Sequence, residues 1–138
     1  RLRKMGWTRG GLMLFAKRVN LAAAVIGPFL LVPLFFLEGT IGELYPPAIT
    51  HAEFYYAFAA VALVWQLGYF VISTDPVRFR PFMPVALLAK LAVVATTAAM
   101  LLAGRLDPGA AAAGFPDFIF VVLFYIAWMK TPRREASS

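Results

Sequence analysis

Cysteine is missing from this chain of 138 residues, and histidine occurs once, at His51. Without cysteine there is no disulfide framework, no thiolate metal site and no cysteine nucleophile. With a single histidine, any site that needs two is excluded. Charge is scarce as well: 14% of residues carry it, where soluble domains hold about 25%. The motifs of common soluble enzymes are also missing, with no G-x-G-x-x-G, P-loop, G-x-S-x-G or H-E-x-x-H.

What the chain has in excess is apolar side chain, 62% of its residues against about 45–50% in soluble domains. A soluble fold of this length has too little interior to hide that much, so the bilayer is its natural solvent. The net charge of +6 is compatible with nucleic acid or with an anionic membrane surface. Here the cations sit at the ends of apolar runs, and no aromatic-interleaved basic strand or recognition helix accompanies them. The reading is therefore a membrane surface and no nucleic acid.

Four apolar runs follow a basic segment at residues 1–18: residues 19–37, 54–72, 82–103 and 115–130, with a tail at 132–138. A spanning helix needs about 20 apolar residues, within a range of about 17–25. The first three runs qualify. The fourth is short and reaches little more than about 22 Å at ~1.5 Å per residue. It must thin the bilayer or draw Gly114 and Lys130 into the span by snorkelling. The first run has the basic flank of a signal peptide. Its length exceeds the usual h-region of about 7–15 residues and no A-x-A site follows, so it reads as a retained anchor.

Boundary residues support this division. Gly39, Gly42, Pro46 and Pro47 break the chain after the first run. Thr50 and Glu53 match a capping box. Ser73-Thr74-Asp75-Pro76 and Asp107-Pro108-Gly109 are turns, Pro116 and Asp117 suit a first helical turn, and Pro132 stops the last helix. Every lysine and arginine except Arg105 and Lys90 falls on the side of the two termini and the second connection. The positive-inside rule then puts both termini in the cytoplasm, with Trp7, Tyr45, Tyr55, Tyr56, Tyr69 and Trp128 near the interfaces. The expected fold is all-α: a polytopic, antiparallel bundle of four transmembrane helices, N-in and C-in. Short links favour packing of sequential neighbours. Ala23 with Gly27, and Ala95 with Ala99 and Ala103, offer small faces for close approach, and Gly27-Pro28 and Pro33 are candidate kinks.

Few polar residues lie inside the runs. Lys90 is about 12 Å from the inner edge of its helix, where a charge costs roughly 2.5–3.5 kcal/mol or less. Its stem can snorkel to the interface. Alternatively it faces Gln66 and Tyr125, about 9 Å and 8 Å deep on their helices, with Asn20 near the same edge. These four then make a pocket in the inner half for a lipid headgroup or another ligand. Arg78 and Arg80 hold the second connection inside, or bind an anionic lipid headgroup. His51, Glu53, Glu43 and Glu38 match no zinc spacing, so no metal is expected. Asp117 reads as a first-turn residue before a proton carrier. A small multidrug transporter would need an acidic residue in the first span, and there is none.

The stretch WQLGYFVISTDPVRFRPFMPVALLAKL, Trp65 to Leu91, and the entry EFYYAF, Glu53 to Phe58, resemble small bacterial membrane proteins. These carry W-Q, then D-P-x-R-[FY]-R-P, then a lysine in the next helix. Their four-helix plan is similar to the broad DoxX-like group, distantly akin to EXPERA-type proteins. The resemblance implies a bacterial inner membrane and four helices; it supplies no activity, since that group mixes oxidoreductase-associated, quinone-linked and unknown members. EXPERA isomerases use buried carboxylates, whereas these runs hold a lysine and no deep carboxylate. The leading expectation is a non-catalytic accessory subunit of a larger membrane complex, with no cofactor of its own. The alternatives are a DoxX-like binder or enzyme for a lipid, quinone or sterol-like ligand in an inner-leaflet pocket, and a small transporter.

Overall fold

The computed structural model describes residues 9–133. Of the residues used above for orientation and the aromatic belt, Arg1, Arg3, Lys4, Trp7 and Arg134 lie outside the described residues. All regular structure among the described residues is helical: α1 (Arg9–Leu31), α2 (Glu38–Leu44), α3 (Ala52–Thr74), α4 (Met83–Leu102), α5 (Pro108–Ala112) and α6 (Phe115–Lys130). Four stretches are long and apolar enough to cross a membrane, Gly10–Phe35, Ala52–Thr74, Arg80–Leu102 and Pro108–Lys130. The protein is a multi-pass integral membrane protein built as a four-helix bundle.

Two boundaries differ from the expectation. The first helix begins at Arg9, well before residue 19, because Gly10 to Ala16 is itself apolar and joins the run without a breaker. The fourth span begins at Pro108. Asp107 caps α5, accepting from the amides of Gly109 at 2.7 Å and Ala110 at 3.2 Å, and Pro108 follows where a missing N–H is harmless. A tight turn at Ala113 and Gly114 joins α5 to α6. The span thereby reaches 23 residues, and no thinning of the bilayer is required.

α1 continues through Pro28 and ends in a 3-10 turn, Val32–Phe35. Pro28 withholds one intrahelical amide and Pro33 another. Tyr55 of α3 donates to the Leu34 carbonyl at 2.7 Å, taking up an end group the helix leaves over. Beside it, Tyr56 donates to Glu38 at 2.7 Å. The expected Thr50–Glu53 capping box does not form. His51 is the residue before α3, with no side-chain cap, and Glu53 faces the His51 ring at 3.2 Å. With the helix starting at Ala52, Glu53 falls in the first turn and its carboxylate suits the positive helix end. At the far end of α4, Gly104 takes φ +66. Gly104 N–H donates to Leu101 and Arg105 N–H to Met100, closing the helix in a Schellman turn that glycine enters at low cost.

The helices are arranged antiparallel. Arg80, before α4, donates to the Thr131 carbonyl after α6 at 2.7 Å, and the Lys130 ammonium lies 5.6 Å from the Phe15 ring centre. These contacts gather the start of α1, the α3–α4 connection and the end of α6 at one end, the terminal end. The 36–51 and 103–107 connections lie at the other, distal end. α1 packs closely on α3 and on α6, and α4 packs on α6, whereas α3 and α4 touch only sparsely. One pair of sequential neighbours is thus left nearly apart, contrary to the expectation from link length. The connection between them spends Pro76 to Phe82 on a turn and a 3-10 step that carries α4 away from α3.

Large apolar side chains point outward on every span: Phe29, Phe54, Leu67, Leu88, Leu102 and Phe115 are well exposed. In the interior small side chains, Ala16, Ala23, Ala86 and Ala127, meet large ones, Tyr69, Ile72, Met83, Phe120 and Phe124. This inside-out distribution fits hydrocarbon as solvent, where close backbone approach holds helices together. Ala23 joins this interface as expected. Ala95 and Ala99 on α4, and Ala103 just after it, do not: they are exposed.

Candidate functional site

The terminal half is filled by the alanine and aromatic interior. Toward the distal end the four helices part around a cavity of about 390 Å³. α1 contributes Gly27 and Leu30, α3 contributes Phe58, Ala62, Trp65, Gln66 and Tyr69, α4 contributes Lys90 and Thr97, and α6 contributes Asp117 and Phe120. The wall is mostly apolar; its polar side chains are Thr97, nearer the distal end, and a patch at the deep end.

That patch is an ion pair. Lys90 Nζ is in hydrogen-bonding contact with Asp117 Oδ1. Lys90 lies ten residues from Arg80, about 15 Å along its span, and Asp117 nine from Pro108, about 14 Å along its own. Both charges therefore sit near mid-depth, where each alone costs roughly 2.5–3.5 kcal/mol. Pairing removes most of that cost. The ammonium is also 5.5 Å from the Tyr69 ring centre and 5.8 Å from that of Phe120, near enough for the ring faces to attract it. Asp117 has a second support in its position in the first turn of α6, where the helix dipole favours an anion. The side chains keep 15% and 27% of their surface accessible, so the pair is part of the cavity wall and does not lie sealed behind it.

An aromatic layer backs the pair. Trp65 stacks on Tyr69 with centres 6.1 Å apart, and Phe124 meets Tyr69 edge-on at 5.0 Å. Tyr69 is 2% exposed, and this layer separates the cavity from the terminal end. Gln66 completes the wall. Its amide donates to the Ala62 carbonyl at 2.7 Å, while Oε1 is buried with no hydrogen-bond partner among the described residues. The amide leans on Gly27, where a Cβ would come within 2.0 Å of Oε1. Glycine at this position is what lets α1 and the Gln66 side chain share the space.

Of the four residues grouped from sequence, the cavity unites two, Gln66 and Lys90. Asn20 is buried at 2% exposure in the packed half, where it donates to the Ala16 carbonyl at 2.9 Å. Tyr125 is 51% exposed on the outer face of α6, edge-on to Trp128. The cavity itself occupies the distal half, not the half nearer the termini, because alanines and aromatic rings fill the terminal half. Arg80 is committed to Thr131. Arg78 remains exposed beside Asp75, whose Oδ1 accepts the Arg78 amide at 3.1 Å.

Asp117 and the aromatic groups were not grouped with Lys90 from sequence, and the spans were read as lacking a deep carboxylate. That reading is corrected here, since the added turn of α5 moves Asp117 from a membrane edge to its interior. Asp107-Pro108 was the available signal, because a cap residue followed by proline starts a helix as well as a turn. Among the described residues, which include His51, Glu38, Glu43 and Glu53, no group of three or more potential metal ligands occurs. No family model, no curated protein and no solved structure matches this chain.

Proposed function

We propose that this membrane protein binds a lipophilic small molecule in the cavity enclosed by α1, α3, α4 and α6. The observation that carries the reading is the placement of the Lys90–Asp117 pair and Gln66 at the deep end of a largely apolar cavity. Sites for small molecules are commonly apolar with a few convergent polar groups, and ionisable residues inside a span mark function more often than packing. The sparse contact between α3 and α4 gives a ligand a route from the lipid without passage through water. A lipid or a quinone is compatible in size and polarity. With both termini in the cytoplasm of a bacterium, as the positive residues favour, the cavity lies toward the outer leaflet of the inner membrane. Membership of the DoxX-like group accords with this arrangement.

The test is co-purification. Protein isolated from native-like membranes in mild detergent, extracted and analysed by mass spectrometry, should release a lipophile that Ala62→Phe protein, its cavity filled, does not. Identical extracts from the two would count against the reading.

The accessory-subunit reading keeps one observation in its favour: the outward face of α4 carries Ala92, Ala95 and Ala99, which suit close approach by another helix. A partner retained through mild purification and released by Ala95→Leu would support it. Transport has less in its favour, since the packed layer of Tyr69, Phe124, Ile72 and Met83 interrupts any polar path to the terminal end. Arg78, on the terminal surface, is available to anionic headgroups.

A further inference from the structure

We infer that the cavity selects lipophiles whose polar head carries no net charge, such as alcohols, and rejects those with fixed anionic or cationic heads. The inference rests on the reading of the cavity as a binding site and adds the class of ligand. The charged residues in the wall are one lysine and one aspartate, and they are already paired with each other. The pair contributes hydrogen-bonding capacity with zero net charge. An anionic head must compete with Asp117 for Lys90 and leave a carboxylate unpaired at mid-depth. A cationic head must displace Lys90 from Asp117 and leave an ammonium there. In either case a lone charge remains in a low-dielectric setting, where it is costly. A hydroxyl group avoids both outcomes: it can accept from Lys90 or donate to Asp117 with the pair intact.

The closing experiment uses Trp65, which lines the cavity, as a fluorescent reporter. Trp7→Phe and Trp128→Phe leave it as the one tryptophan, since the chain has 3. The protein in nanodiscs is titrated with probes that share a brominated dodecyl chain and end in a hydroxyl, a sulfonate, a trimethylammonium or a plain methyl group. Quenching in the Ala62→Phe background is subtracted as the contribution of surrounding lipid. The hydroxyl probe should bind at least about tenfold more tightly than either charged probe, an advantage of ~1.4 kcal/mol or more. Asp117→Asn should shift preference toward the sulfonate, and Lys90→Met toward the trimethylammonium. If the single variants do not fold, the double variant Lys90→Met with Asp117→Leu carries the test, and it should bind hydroxyl and methyl probes alike. Charged probes that match the hydroxyl probe in the unsubstituted site would overturn the charge selection and leave the binding site standing. A double variant that still favours hydroxyl over methyl would overturn the role of the pair. No probe quenching above the Ala62→Phe background would overturn the binding site itself, and the selection with it.

Discussion

The two halves of the bundle use the same kinds of residue to opposite ends. In the terminal half, alanines at 16, 23, 86 and 127 alternate with Tyr69, Ile72, Met83 and Phe124, and the helices close on one another. In the distal half, Gly27, Ala62, Ala89 and Ala113 are just as small, yet they border a cavity of about 390 Å³. Small residues therefore permit close approach without enforcing it. What separates the halves is which bulky groups lie opposite. Aromatic rings fill the space below Lys90, while above it α4 stands off from α3. The ion pair marks the boundary, supported from below by rings and open above to the cavity.

The largest effect should come from breaking that boundary. Lys90→Met or Asp117→Leu alone leaves its partner unpaired at mid-depth and should cost about 3 kcal/mol, read as a lower midpoint of thermal unfolding in bicelles. The double variant should recover most of the loss, since two apolar side chains leave nothing unpaired. Equal damage from the single and double variants would show that the pair does not hold the boundary. A smaller effect is expected from Phe124→Ala in the packed half. Unfolded helices remain in lipid, so little transfer energy is lost, and the new cavity accounts for about 2 kcal/mol. Phe58→Ala, beside the existing cavity, should change the midpoint little. If the two phenylalanines prove equivalent, the contrast between halves fails. The smallest effect is that of Arg80→Met, which removes one bond to the Thr131 carbonyl and should cost about 1 kcal/mol, measurable as faster hydrogen exchange at the end of α6. Arg78→Met, with an exposed side chain, serves as its control.

Much of the architecture was legible before any coordinates. The four spans, their order and the placement of turns follow from apolar run length and from Pro, Gly and Asp at the breaks. Individual caps were less legible. Thr50 and Glu53 fit a capping pattern, yet the helix starts one residue later than that pattern needs, and His51 takes the position before it. The candidate site was half legible. Gln66 and Lys90 stand out because polar residues in a span are rare. Tyr125 was grouped with them by depth, a criterion that ignores which way a helix face turns, and it points outward. Asp117 was missed because the fourth run was started at Phe115, which put its carboxylate at the surface.

The sequence by itself determined the solvent of this protein, the number of its crossings and the few polar residues left inside them, because each depends on local composition measured against the thickness of a bilayer. Only the tertiary structure decided that Lys90 meets Asp117, that Gln66 rests on Gly27 and that α3 stands off from α4. Those outcomes depend on the rotation of each helix about its axis and on its distance from the others. In lipid, where apolar faces are nearly interchangeable, such choices are set by the fit of specific side chains and leave no periodic trace in the chain.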